Sequence, residues 1–432
     1  MLRRVFLQTP LVAAAPRPRS FFFNARGNSG FMNTDGRLAR MNSDGSGFRI
    51  LDFAKPNQAG WGPYCFFEAQ RARRGLPMGK RTRLSSRAEA PSCACSSEDG
   101  RRAVLLSIEY TPDWKTKTFQ EFYPKSKTHI WIYDIGSGSL TEICRRDRLS
   151  NFYAPCLLLP GEDRIAVTAI IDGKSRLYSM DLDGGNARPI TKPDEFVYGV
   201  SLSPDGSRFA FHANYRITVT RIDGSERIEI AGEKGLLHFG TSWSPDNSWV
   251  LYQVCDPRTD PGHDWSDIWI GRPDGSENRP LTRGNAAWFG ASYGSANNPG
   301  GGSNMPQWAS DGRGILYPRR LPGSKVPWEF QPKRPDTDHY NRDFKPASAR
   351  GGTQIVSIDP RTGKETALTP PEEGRWDFRP AWSPGSTEIL FVRARNGENP
   401  ELWIMDRHGR RPRFLTRGVA GQGVDHPRWL PP

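Results

Sequence analysis

"VSLSPDGSRFAFHA", residues 200–213, reads as two apolar strands joined by a tight turn. Asp205-Gly206 supplies turn geometry, and apolar or aromatic residues flank it on both sides. The phrase returns as "TSWSPDNSWVLYQV" from Thr241 to Val254 and as "PAWSPGSTEILFVRA" from Pro380 to Ala394. A second phrase alternates with it: a strand, an acidic turn, then a strand ending in Thr. Examples are "LYSMDLDGGNARPIT" from Leu177, "IWIGRPDGSENRPLT" from Ile268 and "LWIMDRHGRRPRFLT" from Leu402. Together the two halves make a four-stranded unit recurring every roughly forty to sixty residues, the pattern of propeller blades.

First strands start near Trp61, Tyr153, Tyr198, Phe239, Met305, Phe378 and Asp425, which gives seven units. The last has only its first strand, "HPRWL". Its missing strands match "SFFFN" from Ser20, "RLARMN" from Arg37 and "FRILDF" from Phe48. The expectation is an all-β fold: a single seven-bladed β-propeller of four-stranded antiparallel blades over residues 19–432. Its ring would be closed by N-terminal strands pairing with the C-terminal strand, which leaves no open edge. The 44 glycines and 37 prolines suit many short strands joined by turns, with 11% aromatic residues to pack between sheets. At 432 residues the chain fits one large all-β domain.

The formal charge is +13, spread as arginine through loops and strand edges, and it reads first as a solvated basic surface. No apolar run approaches the ~18 residues that span a bilayer, so no transmembrane segment is expected. Residues 1–18, "MLRRVFLQTPLVAAAPRP", resemble a short export signal of twin-arginine type. That places the mature chain in the periplasm or outside the cell. Six cysteines show no C-x-x-C spacing and support no zinc site. Residues 69–97 form a basic, Ser/Arg-rich insertion within the first unit, read as disordered. No ordered basic-aromatic stripe accompanies it, so no nucleic-acid partner is expected.

Four long loops, starting at Glu109, Cys255, Thr282 and Pro318, fall on one face of such a ring. One-sided elaboration marks a binding face. These loops and the strand ends beside them carry Trp114, Tyr123, Trp265, Trp288, Tyr293, Trp328 and Tyr340, with His263 and Arg319 among them. Flat aromatics stack on sugar rings and arginine forks a carboxylate. At the channel mouth, Arg379 and His426 each precede a strand tryptophan by three residues (Trp382, Trp429). His238 and Gln307 lie near the corresponding points of two other units.

The Ser-Pro-Asp-Gly and Leu-Thr phrases resemble the PD40 (WD40-like) propellers of TolB-type periplasmic proteins, and the resemblance covers nearly the whole mature chain. That scaffold hosts binding proteins, peptidase propellers and polysaccharide lyases. The chain shows no extra α/β domain beside the strand repeats, which speaks against a peptidase. Oligogalacturonate lyases, a seven-bladed branch, carry a Gln-x-x-His-Pro-His-Pro phrase at the closing strand, whose Gln and two His help bind a divalent metal. Here "GQGVDHPRW" keeps His426-Pro427, has Val424 in place of the first His and sets Gln422 one residue off register. A metal site is therefore not carried over, and the cofactor stays open.

The resemblance implies a polysaccharide lyase or glycan binder acting on an acidic, uronate-containing oligo- or polysaccharide. In the lyase reading Arg379 binds the carboxylate, and His238 or His426 removes the C5 proton. The other class is a non-catalytic TolB-like monomer that scaffolds another periplasmic protein.

Overall fold

The Ser-Pro-Asp turn folds as it does because its side chains replace missing backbone partners. Ser203 Oγ accepts the Arg208 N–H at 2.9 Å, and Asp205 Oδ1 accepts the Ser207 N–H at 3.0 Å. Gly206 takes the left-handed conformation at φ +71°. The same pattern recurs at Ser244 and Asp246, which accept from Trp249 and Ser248 at 2.9 and 3.1 Å. The recurring phrase is thus a recurring hydrogen-bond motif.

The structure is a computed structural model that describes residues 18–25, 37–51, 61–62, 69–71, 91–93, 102–109, 125, 127–146, 156–160, 164–171, 174–333 and 342–430. Among the described residues there is no α-helix, and no helix is long and apolar enough to cross a membrane. Antiparallel sets of four strands follow the predicted units. One runs Val197–Leu202, Arg208–Ala213, Arg216–Arg221 and Ile228–Ala231. Another runs Arg375–Trp382, Glu388–Arg395, Glu401–Asp406 and Arg413–Thr416. First strands of successive units lie against one another, as Val197–Leu202 does with Leu237–Trp243 and Arg375–Trp382 with Val424–Trp429.

Ser20–Ala25 pairs with Val424–Trp429, Phe21 opposite Trp429, and Arg37–Asn42 and Arg49–Ile50 continue that sheet. The chain's two ends therefore share one hydrogen-bonded unit. Its neighbours hold it on both sides. Trp429 Nε1 donates to the Ala381 carbonyl at 3.0 Å, while Arg40 and Arg49 donate to the Tyr133 hydroxyl at 3.0 and 2.7 Å. Apolar side chains fill the space between sheets, with Phe22, Leu38, Ile130, Tyr133 and Leu157 in one continuous cluster.

In the first unit Trp61–Gly62 pairs with Arg102–Glu109, so the insertion enters between the first and second strands. Within it Ala69–Arg71 pairs with Pro91–Cys93. The remainder, and residues 1–17, lie outside the described residues.

Four of the first strands carry a bulge at an equivalent position. The register slips between Tyr198 and Ser201, between Phe239 and Ser242, and between Phe378 and Ala381, and again opposite Phe22 and Asn24 in the closing sheet. A left-handed residue occupies each slip: Gly199 (φ +66°), Gly240 (+49°), Arg379 (+49°) and His426 (+47°). Glycine adopts this conformation freely, whereas arginine and histidine pay strain for it. The equivalent points converge in space. A Cβ on Gly240 would collide with the Met305 side chain, and one on Gly199 would lie 3.2 Å from Gly240 Cα.

Candidate functional site

The two strained positions meet at one buried cluster. Arg379 Nε donates to Asp425 Oδ1 at 2.5 Å, and both side chains are almost wholly buried. Asp425 also accepts the Tyr293 hydroxyl and the His426 backbone N–H, the latter at 2.8 Å. His426 Nδ1 lies 3.1 Å from Asp425 Oδ2. The remaining reach of Arg379 is spent on the loop that crosses this site: it donates to the carbonyls of Ser303, Gly301 and Gly302 at 2.5, 3.0 and 3.3 Å.

That loop arrives on a hairpin, Tyr293–Ser295 paired with Asn298–Gly300. Asn298 Nδ2 anchors it further by donating to Asn399 Oδ1 at 3.1 Å and to the Gln422 carbonyl. Gly302, at φ +113°, leaves the room that the Arg379 guanidinium uses: a Cβ there would sit 3.2 Å from Arg379 Nη2, with the His426 ring in ordinary contact at 3.9 Å.

Burial pushes the Asp425 carboxyl up, but Arg379, His426 and Tyr293 together overcome it and hold the group well below the usual carboxylate range. His426 is pushed down to about 4, first by burial and then by the Arg379 charge. At neutral pH its imidazole is uncharged. Asp425 beside Nδ1 favours the tautomer with the proton there and the lone pair on Nε2, and 17% of the side chain remains exposed. The arrangement provides a neutral imidazole next to a fixed anion.

Several expected site residues turn out differently. Arg379 is committed to Asp425 and three carbonyls, so its guanidinium is not presented to a substrate carboxylate. His238 is 2% exposed, with Nδ1 3.0 Å from the Tyr215 carbonyl, and burial lowers its pKa. It is a packed residue rather than an accessible base. Trp265, Trp288 and Tyr293 are buried, 7%, 0% and 2% exposed, and offer no open stacking face. Instead, Trp288 packs on Trp376 and Phe378, and Trp265 stacks on Trp376. Arg319 pairs with Glu365 at 2.7 Å on a strand.

His263, at φ +51°, sits 6.0 Å from the Phe239 ring, while Gln307 and Trp328 are half-buried. Trp114, Tyr123 and Tyr340 lie outside the described residues. The sequence reading missed Asp425 as the anchor and Tyr293 as its hydroxyl donor. The available signal was an acid directly before His426-Pro427 in the closing phrase.

A divalent ion does not fit the closing motif. Val424, at the first histidine position, is wholly buried and offers no donor. Among the described residues no group of three or more His, Cys, Asp or Glu is placed to hold a metal.

No family model matches the chain. Its solved structural neighbours are propeller proteins. The periplasmic gluconolactonase of Pseudomonas aeruginosa aligns over 95% of this chain and 99% of its own, at 12% identity and a TM-score of 0.51. An oligogalacturonate lyase in complex with manganese aligns over 92% and 85%, at 13% identity and 0.48. TolB from Acinetobacter baumannii aligns over 96% and 67%, at 15% identity and 0.44. The fold is a β-propeller, and at these identities the likeness speaks to fold alone.

Proposed function

We propose that the chain is an exported seven-bladed propeller that acts on a uronate-containing oligo- or polysaccharide by β-elimination, with His426 as the base. The pairing of Ser20–Ala25 with Val424–Trp429, and the contacts of that unit with both neighbours, support a closed ring. Export is supported by the Arg3-Arg4 pair and the short apolar stretch that follows it in the sequence.

One observation carries the chemistry: His426 is a neutral, partly exposed imidazole whose Nδ1 lies 3.1 Å from a buried carboxylate. Its Nε2 takes the C5 proton of the uronate. The C5–H electrons form the C4–C5 double bond as the C4–O bond breaks, and the imidazolium returns its proton to the leaving oxygen. The substrate carboxylate needs a cation other than Arg379.

The test is ultraviolet absorbance of the purified chain with a panel of uronate polysaccharides, with and without divalent cations. New absorbance from an unsaturated product that His426→Asn abolishes is the expected result. Asparagine tolerates the left-handed backbone and lacks a base. The acid limb of kcat/KM should fall near pH 4 rather than near the ordinary histidine value. A flat trace across the panel sinks the reading.

The second reading, a non-catalytic propeller that binds a glycan or a periplasmic protein, draws on the internal commitment of Arg379. It predicts no turnover and tolerance of His426→Asn.

A further inference from the structure

Strand-joining turns of two neighbouring units enclose a groove of about 680 Å³, a volume that suits a small organic ligand. Turn 244–249 and Arg272 and Arg279 line it from one unit, and turn 310–313, Pro360 and Arg361 from the next. The two turns face each other closely: a Cβ on Gly312 would lie 3.9 Å from Pro245 Cδ. No residue of the His426 cluster belongs to it.

Trp249 sets two of the arginines. Arg272 covers its ring at 3.9 Å and Arg279 approaches it at 5.4 Å. Arg272 also donates to the Ser248 carbonyl at 3.3 Å. Arg279 donates to the Pro360 carbonyl at 2.5 Å, which ties the two units together across the groove. The other two arginines are exposed. Arg361 pairs only with Asp359 of its own turn, at 3.1 Å, and the Arg313 guanidinium makes no ion pair or hydrogen bond among the described residues.

The balance of charge decides the ligand. Four arginines line the groove against two carboxylates, Asp246 and Asp311. Both carboxylates are spent on their surroundings. Asp246 Oδ1 accepts the Ser244 and Ser248 hydroxyls at 2.6 and 2.7 Å, while Asp311 Oδ1 accepts the Arg313 N–H at 3.0 Å and Arg407 lies 3.4 Å from Oδ2. Glu277, outside the lining, is shared by Arg272 and Arg279 at 3.7 and 3.2 Å. Exposed pairs of this kind are weak, so an entering oxyanion competes for these arginines at little cost. A guanidinium fork matches a carboxylate or a phosphate. The arginines stand on three separate turns, so a ligand must carry more than one such group to engage them together.

We propose that this groove binds a small polyanion with two or more carboxylate or phosphate groups, held by Arg313 and Arg361 from one unit and Arg272 from its neighbour. The site stands apart from the lyase reading.

Isothermal titration calorimetry of the full chain at low ionic strength tests it, with citrate, trigalacturonate, glucose 1,6-bisphosphate and neutral maltotriose. At least one anion should bind and maltotriose should not. Which anions bind tells a carboxylate site from a phosphate site. Arg313→Ser and Arg361→Ser should each weaken binding about tenfold or more, with unchanged melting temperatures. Arg188→Ser removes the same charge from an exposed strand of another unit and should leave the affinity as it was. An equal loss there means that bulk charge alone attracts the ligand, and overturns the proposal. So does the absence of binding by all three anions at concentrations on the order of 10 mM, or binding of maltotriose as tight as theirs. Trigalacturonate binding that His426→Asn abolishes and Arg313→Ser leaves intact belongs to the lyase site and equally overturns the groove. Anion binding lost in Arg313→Ser, with a flat uronate assay, would remove the lyase reading and leave the groove standing.

Discussion

Arg379–Asp425 and Arg342–Asp264 are the same pair of side chains in two parts of the structure, and they behave in opposite ways. Asp425 receives three aligned donors, from Arg379, Tyr293 and the His426 backbone, and stays ionised despite complete burial. Burial pushes Asp264 up to about 7, and the nearby Arg342 charge only partly opposes it. Nearby Asp260, itself raised by burial, adds to the shift. An arginine nearby does not by itself keep a buried carboxylate charged. At Asp425 the Arg379 charge, seconded by His426 and the hydrogen-bond donors, outweighs burial. At Asp264 the Arg342 charge and hydrogen bond do not, and Asp260 adds repulsion.

The largest expected break in this comparison comes from removing the arginines. Arg379→Ala leaves a buried anion unpaired and should cost about 3–5 kcal/mol in urea unfolding at pH 7. Arg342→Ala should cost less, about 1–3 kcal/mol, because Asp264 can take up a proton instead. Equal losses at the two sites would show that the pairs are equivalent after all.

Acidification should separate them by sign. The folded pKa of Asp264 is raised from 3.8 to about 7, so its contribution to stability falls as pH rises through that window. Asp264→Asn should flatten the pH dependence between 4 and 7 and be most favourable, relative to wild type, above pH 7. The folded pKa of Asp425 is depressed, so its contribution is present above the usual carboxylate range and is lost as pH falls below it. Asp425→Asn should therefore be more damaging at pH 7 than at pH 3. Parallel profiles for the two variants would contradict the comparison.

Tyr293→Phe removes one of the three donors to Asp425 and should cost about 1.5–3 kcal/mol, measured by the shift in urea midpoint. The smallest effect concerns the backbone at His426. Alanine there should be less stable than asparagine by about 1 kcal/mol, since asparagine tolerates φ +47° better.

The strands were legible because strand periodicity and turn chemistry are local. "SFFFN", "RLARMN" and "FRILDF" stand out by pattern alone, and they form the sheet shared with Val424–Trp429. His426 and Arg379 were also legible as equivalent positions, three residues before a strand tryptophan. Their fates were not. Whether Arg379 faces a ligand or a carbonyl depends on a loop 76–78 residues away in sequence that happens to cross above it.

Loop aromatics show the same limit. Trp288 and Tyr293 carry no periodic signal, so nothing local says whether they meet solvent or another loop. Packing against Trp376 and Phe378 buried them. By itself the sequence determined the repeating unit, its turns and the partnership of the chain's two ends, because each depends on short-range backbone geometry. The tertiary structure alone decided which charges are satisfied and which polar atoms are left over. Those outcomes depend on contacts between loops that no residue spacing encodes.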